Sequence, residues 1–310
     1  KMERFIQHVF VSVRKMRPNK KKLRASEPEQ RGEEKEKNNT TTHDLGFMMF
    51  CSFGNALRIS PKQDYHEVLL TSAKSLSTRF NPKVGCIKSW DGGPSEFLVI
   101  IDNMMNLELL FWATRFSGDS SFYNIAVTHA NTTLQNHFRP YNRSYHVLNY
   151  DAVTGEVKEK KTAQGYADSS AWARGQAWGL YGYIVTFRET DDKKYLEQAI
   201  KIANFLLDHP KLPADKIPYW DFDDPAVPNT FRDASAGAIM ASALLELSEI
   251  ADDKKIGEKY FTAAETMLRS LSGDKYKAAA GTNGGFILKH SVGHLPQKSE
   301  VDVALSYADY

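Results

Sequence analysis

Apolar residues recur along the chain at helical spacing, and an acidic residue stands just before each of five apolar or small-residue runs. In the clearest run, residues 101–107 read Ile-Asp-Asn-Met-Met-Asn-Leu and lead into Leu110, Phe111 and Trp112. An aspartate at the start of a helix usually serves as an N-cap, accepting bonds from free backbone N–H groups. The pattern therefore predicts five similar helices, each beginning at an acid. The five acids are Asp44, Asp102, Asp168, Asp233 and Asp302.

A second set of helices follows the first, each after a short polar turn. Their apolar anchors recur at i, i+4 and i+8, which places one narrow apolar stripe on each helix. The stripes are Phe122, Ala126 and Ala130; Tyr195, Ala199 and Ala203; Ile256, Tyr260 and Ala264; and, more weakly, Tyr65, Leu69 and Ala73. Because only one stripe is apolar, these helices are predicted to lie outside the first set, with their polar faces in solvent.

The copies of this helix pair begin roughly 60–70 residues apart, which is long for helices joined by short turns. The intervening residues must form long loops, and strand signals are sparse within them. Residues 144–151 alternate in polarity and turn at Thr154 and Gly155, which predicts a hairpin, and residues 284–288 predict another short strand. Repeated helical hairpins with heavy loops predict an all-α toroid. The starts of its inner helices would then lie together beneath loops at one rim.

The N-terminal region differs from the remainder of the chain. Residues 14–40 are dense in Lys, Arg and Glu, so we predict a poorly specified extension over residues 1–39 and a single helical domain over residues 40–310. Residues 5–13 are apolar, but the run is short and no signal cleavage site follows it. The sequence therefore leaves the location open between cytoplasm and periplasm.

Composition narrows the classes of function. The 310 residues are 42% hydrophobic, enough for a large core, and the net charge of +2 gives no case for a nucleic-acid partner. The chain has no apolar run of membrane-spanning length. It also has no Cys-x-x-Cys pair and no phosphate-binding glycine loop, and we expect neither a metal nor another cofactor. The sequence does not indicate an oligomeric state.

Three motifs, in chain order, carry a resemblance to a known family. They are Thr-His-Asp-Leu-Gly-Phe at 42–47, Ile-Asp-Asn-Met-Met-Asn-Leu at 101–107, and Ser-Ala-Trp-Ala-Arg-Gly-Gln-Ala-Trp-Gly at 170–179. Together they resemble glycoside hydrolase family 88, the unsaturated glucuronyl hydrolases, from about residue 40 to residue 310. The resemblance implies an (α/α)6 barrel with small β-hairpins in the loops between repeats.

The resemblance also implies an unusual hydrolysis. The substrate is an unsaturated uronate with a C4=C5 double bond, at the non-reducing end of oligosaccharides that polysaccharide lyases, such as those acting on glycosaminoglycans, release. A proton is added at C4 and water at C5, and the resulting hemiketal opens and expels the rest of the chain. This chemistry needs a carboxyl group that gives a proton and takes one back from water, and a second carboxylate assists it.

By motif position, Asp102 matches the general acid/base of the family and Asp44 its second essential acid. The alternative for Asp102 is a helix cap. The predicted substrate-binding residues are His43, Trp90, His146, Gln164, Trp172, Arg174 and Trp220. Arg174 is predicted to clamp the uronate carboxylate, since a guanidinium pairs bidentately with a planar anion, or else to pair with Asp168. The remaining acids, Asp168, Asp233 and Asp302, are expected to be caps.

Two other functions stay open at this level. An unsaturated rhamnogalacturonyl hydrolase, acting on pectin fragments, would share the barrel and the chemistry. Its helix motif is expected to read Gly-Asn-Gly-Trp where residues 175–178 of this chain read Gly-Gln-Ala-Trp, which favours the glucuronyl class. The other possibility is a toroid that binds acidic oligosaccharides without catalysis, and the presence of both Asp44 and Asp102 argues against it.

Overall fold

A computed structural model describes residues 32–93 and 95–309 of the chain. Within them, the protein is a helical toroid with four small antiparallel sheets, which confirms the predicted all-α class. Inner and outer helices alternate along the chain, and each inner helix packs against the next. None of the described helices has the length and apolar character needed to cross a membrane.

The inner helices are the more deeply buried set. The first, α1, runs from Leu45–Met49 through a π-helical segment, Phe50–Gly54, into Asn55–Ile59. The second begins as a 3-10 helix, Ile101–Asn106, and continues as α3. The inner helices after α1 are α3 (Leu107–Ser117), α5 (Ala173–Thr190), α7 (Ala234–Ile250) and the short α9 (Ser306–Asp309).

The outer helices follow the predicted stripes. They are α2 (Gln63–Ser77), α4 (Ser120–Asn136), α6 (Lys193–Leu207) and α8 (Lys254–Leu271). Nearly all of the predicted anchors are buried or half-buried, but Ile256 is 42% exposed and therefore is not part of the core. Ile256 lies in the first turn of α8, and the buried stripe begins at Tyr260.

Short strands connect the helix pairs. The two-residue pairs are β1 (Phe80–Asn81) with β2 (Cys86–Ile87) and β4 (Phe138–Arg139) with β5 (Arg143–Ser144). The predicted hairpin is present as β6 (Val147–Asp151) and β7 (Val157–Lys161). Strand β3 (Glu96–Ile100), which no sequence pattern predicts, pairs with β6 and completes a three-stranded sheet in the order β3-β6-β7. The last pair is β8 (Ser291–His294) with β9 (Ser299–Val303).

Two predictions near the C-terminal end are wrong. Residues 284–288 form a 3-10 turn, Asn283–Gly285, and a single bridge from Leu288 to Lys277, because positive φ angles at Gly284 and Gly285 interrupt an extended strand. The inner helix expected at Asp302 begins at Ser306. Asp302 lies in β9 and pairs with His290, with 2.6 Å between Oδ1 and Nδ1, so it is not a cap.

The predicted N-terminal extension lies mostly outside the described residues, since its residues 1–31 are not among them. Residues Lys35–Asn38 form one 3-10 turn against α2, and Ser75 donates a hydrogen bond of 2.7 Å to the carbonyl oxygen of Lys37. The domain boundary at residues 39 and 40 stays a prediction.

Candidate active site

A cavity of about 230 Å³ opens where the starts of α1, of the 3-10 helix before α3, and of α5 meet. Six of the nine predicted site residues line it: Asp44, Asp102, His43, Trp90, Gln164 and Arg174. Asp44 and Asp102 are 58 positions apart in sequence (102 − 44), and the inner-helix packing brings both carboxyl groups to one cavity. The predicted meeting of inner helix starts therefore holds for this pair.

Strand pairing brings Asp102 and His146 together. Strands β3 and β6 are antiparallel with Ile100 opposite Val147, and the ladder extends one step further through a 3.0 Å bond from Ile101 N–H to His146 O. Asp102 follows the end of β3, and His146 precedes β6. Their side chains consequently face each other, with 3.8 Å between Asp102 Oδ2 and His146 Nε2.

The His146 ring is held in one tautomer. Its Nδ1 accepts hydrogen bonds from the backbone N–H groups of Ala163 (3.1 Å) and Gln164 (3.2 Å), so the proton of the neutral ring is on Nε2, the atom nearest Asp102. Burial, and secondarily the charge of Arg174, lower the pKa of His146 well below its usual value. His146 is therefore a neutral donor aimed at the Asp102 carboxyl.

The pKa of Asp102 is close to neutral pH. Burial is the main cause that raises its pKa to about 7; the charge of Asp44 raises it further and that of Arg174 opposes it. Its Oδ2 is buried and has no hydrogen-bond partner within residues 32–93 and 95–309. A buried, unpartnered carboxyl at a cavity is suited to exchanging a proton with a ligand.

The two predicted acids do not behave as helix caps. Asp44 occupies the N-cap position of α1, yet neither it nor Asp102 caps a helix through its side chain in the part of the chain described. By contrast, four other aspartates accept bonds from the first N–H groups of their helices: Asp119, Asp192, Asp233 and Asp253. The capping alternative for Asp102 is thus wrong, which leaves its carboxyl group available for chemistry.

His43 and Asp44 form the second side of the site. His43 Nδ1 donates a 3.0 Å hydrogen bond to Ser89 O, and its Nε2 lies 3.2 Å from Asp44 Oδ1. Burial is the main cause of the lowered pKa of His43, which keeps the ring neutral near pH 7. The Asp44 side chain is 28% exposed, so its carboxylate keeps access to solvent through the cavity.

Arg174 lines the cavity, and its guanidinium group is bound by other groups of the protein. It pairs with Asp233 (3.2 Å), not with Asp168 as the sequence alternative proposed, and both side chains are at most 2% exposed. It also donates to Val292 O and to Gly293 O, the latter at 3.0 Å. Asp168 is exposed and accepts from Thr162 N–H at 2.8 Å, so it does not cap α5 either. Clamping of a substrate carboxylate by Arg174 stays a prediction.

The predicted aromatic residues divide into two groups. Trp90 is half-buried, lines the cavity, and meets the His43 and His146 rings edge-on at 6.2 and 6.0 Å between ring centroids. Trp172 and Trp220 are instead only 2% and 3% exposed, and they pack with Val292 outside the described cavity lining. Trp220 gives its indole N–H to Asp224 at 2.6 Å, so the structure presents it as a packing residue instead of a sugar platform.

Four further residues line the cavity: Ile100, Met105, His294 and Tyr307. His294 comes from strand β8 and Tyr307 from α9, and both are half-buried. Burial is the main cause that raises the pKa of Tyr307, which therefore remains a neutral hydroxyl. Sequence reasoning gave no role to Tyr307, because its motif lies after a misplaced helix start.

The raised pKa of Asp102 should make the free energy of unfolding depend on pH. The unfolded chain ionises this carboxyl near pH 4, while the folded state keeps the proton until about pH 7. The folded state thus binds more protons in this window, and stability falls as pH rises through it, by up to about 4 kcal/mol. We expect the Tm of Asp102→Asn to exceed that of wild type by an amount that grows from pH 5 to pH 8, measured by calorimetry.

A carboxylate whose pKa is lowered, that of Asp151, provides the matched control. The pKa of Asp151 is lowered to about 2, first by a hydrogen bond from Lys158, so Asp151 is ionised throughout pH 5–8. The difference in Tm between Asp151→Asn and wild type should therefore be constant over that range. The same constancy for Asp102→Asn would contradict a raised pKa.

Comparison with known proteins places this site among carbohydrate-active enzymes. No family model matches the chain. A curated "Unsaturated glucuronyl hydrolase" of Formosa agariphila is 48% identical over 280 residues, covering 89% of this chain and 69% of that protein. An "Unsaturated chondroitin disaccharide hydrolase" of Streptococcus pneumoniae is 35% identical, covering 86% and 68%. These relatives show that the chain is a glycoside hydrolase.

Solved structures agree with these relatives. One described as an unsaturated glucuronyl hydrolase specific for heparin superposes with a TM-score of 0.86 at 51% identity, over 89% of this chain and 74% of that one. Another, from Bacillus sp. GL1, has a TM-score of 0.82 at 30% identity, over 88% and 72%. The chain belongs to the unsaturated glucuronyl hydrolases of glycoside hydrolase family 88.

Proposed function

We propose that Asp102 is the general acid/base, and Asp44 the assisting carboxylate, in hydration of the C4=C5 bond of an unsaturated uronate. The observation that supports this proposal is a buried Asp102 carboxyl at a cavity that Asp44 also lines. Its pKa is raised to about 7, and one of its oxygens has no hydrogen-bond partner among the described residues. An ordinary aspartate would be less than about 1% protonated at pH 6 and would rarely have a proton to give.

In the first step, Asp102 donates its proton to C4 of the substrate. The ring oxygen then shares the positive charge at C5, and the Asp44 carboxylate stabilises this charge across the cavity. Neutral His146 supports the newly ionised Asp102, since its Nε2–H faces Oδ2 and a small closing movement from 3.8 Å makes a hydrogen bond.

In the second step, water adds at C5 and gives its proton to the Asp102 carboxylate, which restores the starting state of the enzyme. The hemiketal at C5 opens, and the sugar that had been linked to C1 leaves. No proton is gained or lost by the protein over the cycle. A single carboxyl group with a pKa near 7 can serve both steps, because it is acidic enough to donate a proton and its conjugate base is basic enough to take one back.

The ligand we propose is an acidic unsaturated oligosaccharide. Related crystal structures contain dGlcA-Glc-Rha-Glc in one case and dGlcA-GalNAc6S with the Streptococcus agalactiae enzyme in another. In this chain, the Arg174 guanidinium is the cation at the cavity wall that would attract the uronate carboxylate, and Trp90 presents a half-buried ring for the sugar. Curated relatives carry glucuronyl and chondroitin names, which favours glycosaminoglycan fragments over pectin fragments.

The dependence of rate on pH tests the proposal. Because Asp102 must be protonated to react, kcat/KM should be highest below pH 7 and fall about tenfold per pH unit well above it. The reaction is followed by the loss of ultraviolet absorbance as the conjugated double bond disappears. An alkaline limb centred near pH 4, as for an unperturbed aspartate, would refute Asp102 as the acid.

A further inference from the structure

The N-terminus of helix α1 is capped from another element. The backbone N–H of Phe47 donates to Oδ1 of Asn106 at 2.8 Å, across 59 residues of sequence. Phe47 is the third residue of the helix, where an N-cap aspartate normally supplies the acceptor. Asp44 holds the N-cap position and, among described residues, makes no such bond. Asn106 therefore performs the capping that would otherwise occupy the Asp44 carboxylate.

Hydrogen bonds link this contact back to the site. Asn106 Nδ2 donates to Asn103 Oδ1 at 3.5 Å, a marginal contact, and Asn103 Nδ2 donates to Ser89 Oγ at 3.0 Å. Ser89 O in turn accepts from His43 Nδ1 at 3.0 Å. The series starts inside helix α1 and returns to the residue before Asp44. It thus ties the segment that carries Asp44 to the 3-10 helix that carries Asp102.

Close packing makes this link rigid. Gly46 approaches Asn106 so closely that an added Cβ would lie 2.6 Å from both Asn106 Cβ and Asn106 O. Asn103 and Asn106 are both 0% exposed. Buried polar side chains with specific partners hold one geometry, because every alternative leaves a donor or acceptor unpaired.

We propose that Asn106 is a positioning residue for the hydration reaction: it caps helix α1 in place of Asp44 and so keeps the Asp44 carboxylate at the cavity, beside Asp102. This inference rests on the function proposed above. In Asn106→Ala, Phe47 N–H loses this acceptor, and we expect the side chain of Asp44, at the N-cap position, to replace it. That carboxylate then rotates into the cap and leaves the cavity.

A double-mutant cycle tests whether Asn106 acts through Asp44. We expect Asn106→Ala to lower kcat by at least about tenfold, within the range for assisting groups, with KM changed by less than about threefold. In an Asp44→Asn background, the same substitution should lower kcat by less than about twofold. Equal losses in both backgrounds would show a merely structural role and overturn the proposal.

The pH profile gives a second readout that lost stability would not move. Asp102 is faced by Asp44 from the start of α1, by Arg174 from α5 and by His146 from the start of β6. When Asp44 turns away, Asp102 loses a negative neighbour, and the alkaline limb of kcat/KM moves to lower pH. An unshifted limb in Asn106→Ala would contradict the proposal.

Two further variants complete the experiment. Gly46→Ala forces α1 away from Asn106 and should shift the limb in the same direction, which keeps the test available if Asn106→Ala does not fold. Asn131→Ala is the matched control: Asn131 accepts from Tyr195 Oη at 2.8 Å between outer helices α4 and α6, so its loss should leave the limb unmoved. Activity in Asp102→Asn would refute the proposed function itself, whereas an inactive Asp102→Asn with unshifted limbs in Asn106→Ala and Gly46→Ala refutes only the role of Asn106.

Discussion

Asp102→Asn is expected to lower kcat by about 10²–10⁴-fold, the range for removal of a general acid/base. The amide has the shape of the carboxyl group but neither donates an acidic proton to C4 nor accepts one from water. The measurement is the rate of absorbance loss with an unsaturated disaccharide, together with the circular dichroism spectrum, which should match that of wild type.

Asp192→Asn is the control for this substitution. Asp192 caps outer helix α6 by accepting from Lys194 N–H, and asparagine is an equally good cap, so both activity and fold should be kept. Activity within about threefold of wild type in Asp102→Asn would remove the proposed acid from the mechanism. That result would favour a function in which the cavity only binds acidic sugars.

The second large effect is on stability. Arg174→Ala should lower the free energy of unfolding by about 3–5 kcal/mol, because it leaves the Asp233 carboxylate buried without its partner. The substitution also removes the donors to Val292 O and Gly293 O, which attach strand β8 to helix α5. Urea denaturation at neutral pH, monitored by intrinsic fluorescence, measures the change.

Arg188→Ala on the same helix is the matched comparison. Arg188 pairs with Glu108 and Glu246, but its side chain is 39% exposed, so solvent screens these pairs and the expected loss is at most about 1 kcal/mol. Losses of equal size in Arg174→Ala and Arg188→Ala would contradict the buried ion pair. A loss only in Arg174→Ala would show that this residue supports the cavity wall as well as lining it.

The pattern of apolar residues predicts much of the architecture. The stripes on α4 and α6 and the helix starts after Asp119 and Asp192 appear where the i, i+4, i+8 spacing predicts them, because a surface helix buries one narrow face. Prediction fails where backbone conformation outweighs side-chain pattern. Residues 284–288 are apolar enough for a strand, but positive φ angles at Gly284 and Gly285 divert the chain.

The five acids that precede the predicted inner helices also show what sequence can and cannot predict. Asp44, Asp102, Asp168, Asp233 and Asp302 look alike in sequence, each being an acid ahead of an apolar or small-residue run. Of these five, only Asp233 caps its helix in the structure, and Asp168 and Asp302 bond to the loop residues Thr162 and His290. Local sequence cannot separate a capping acid from a free one, because the competing acceptor, such as Asn106 for α1, comes from a distant segment.

The sequence by itself determined the helical class, the outer stripes and, through three motifs, the family; it also predicted the acidic pair, Asp44 and Asp102. Those features depend on spacing within one element, which is local information. Tertiary structure decided the partner of Arg174, the burial of Trp172 and Trp220, and the elevated pKa of Asp102. Each of these depends on which distant groups surround a side chain and on how far those groups exclude water. The residues next to it in the sequence determine neither its surroundings nor its access to water.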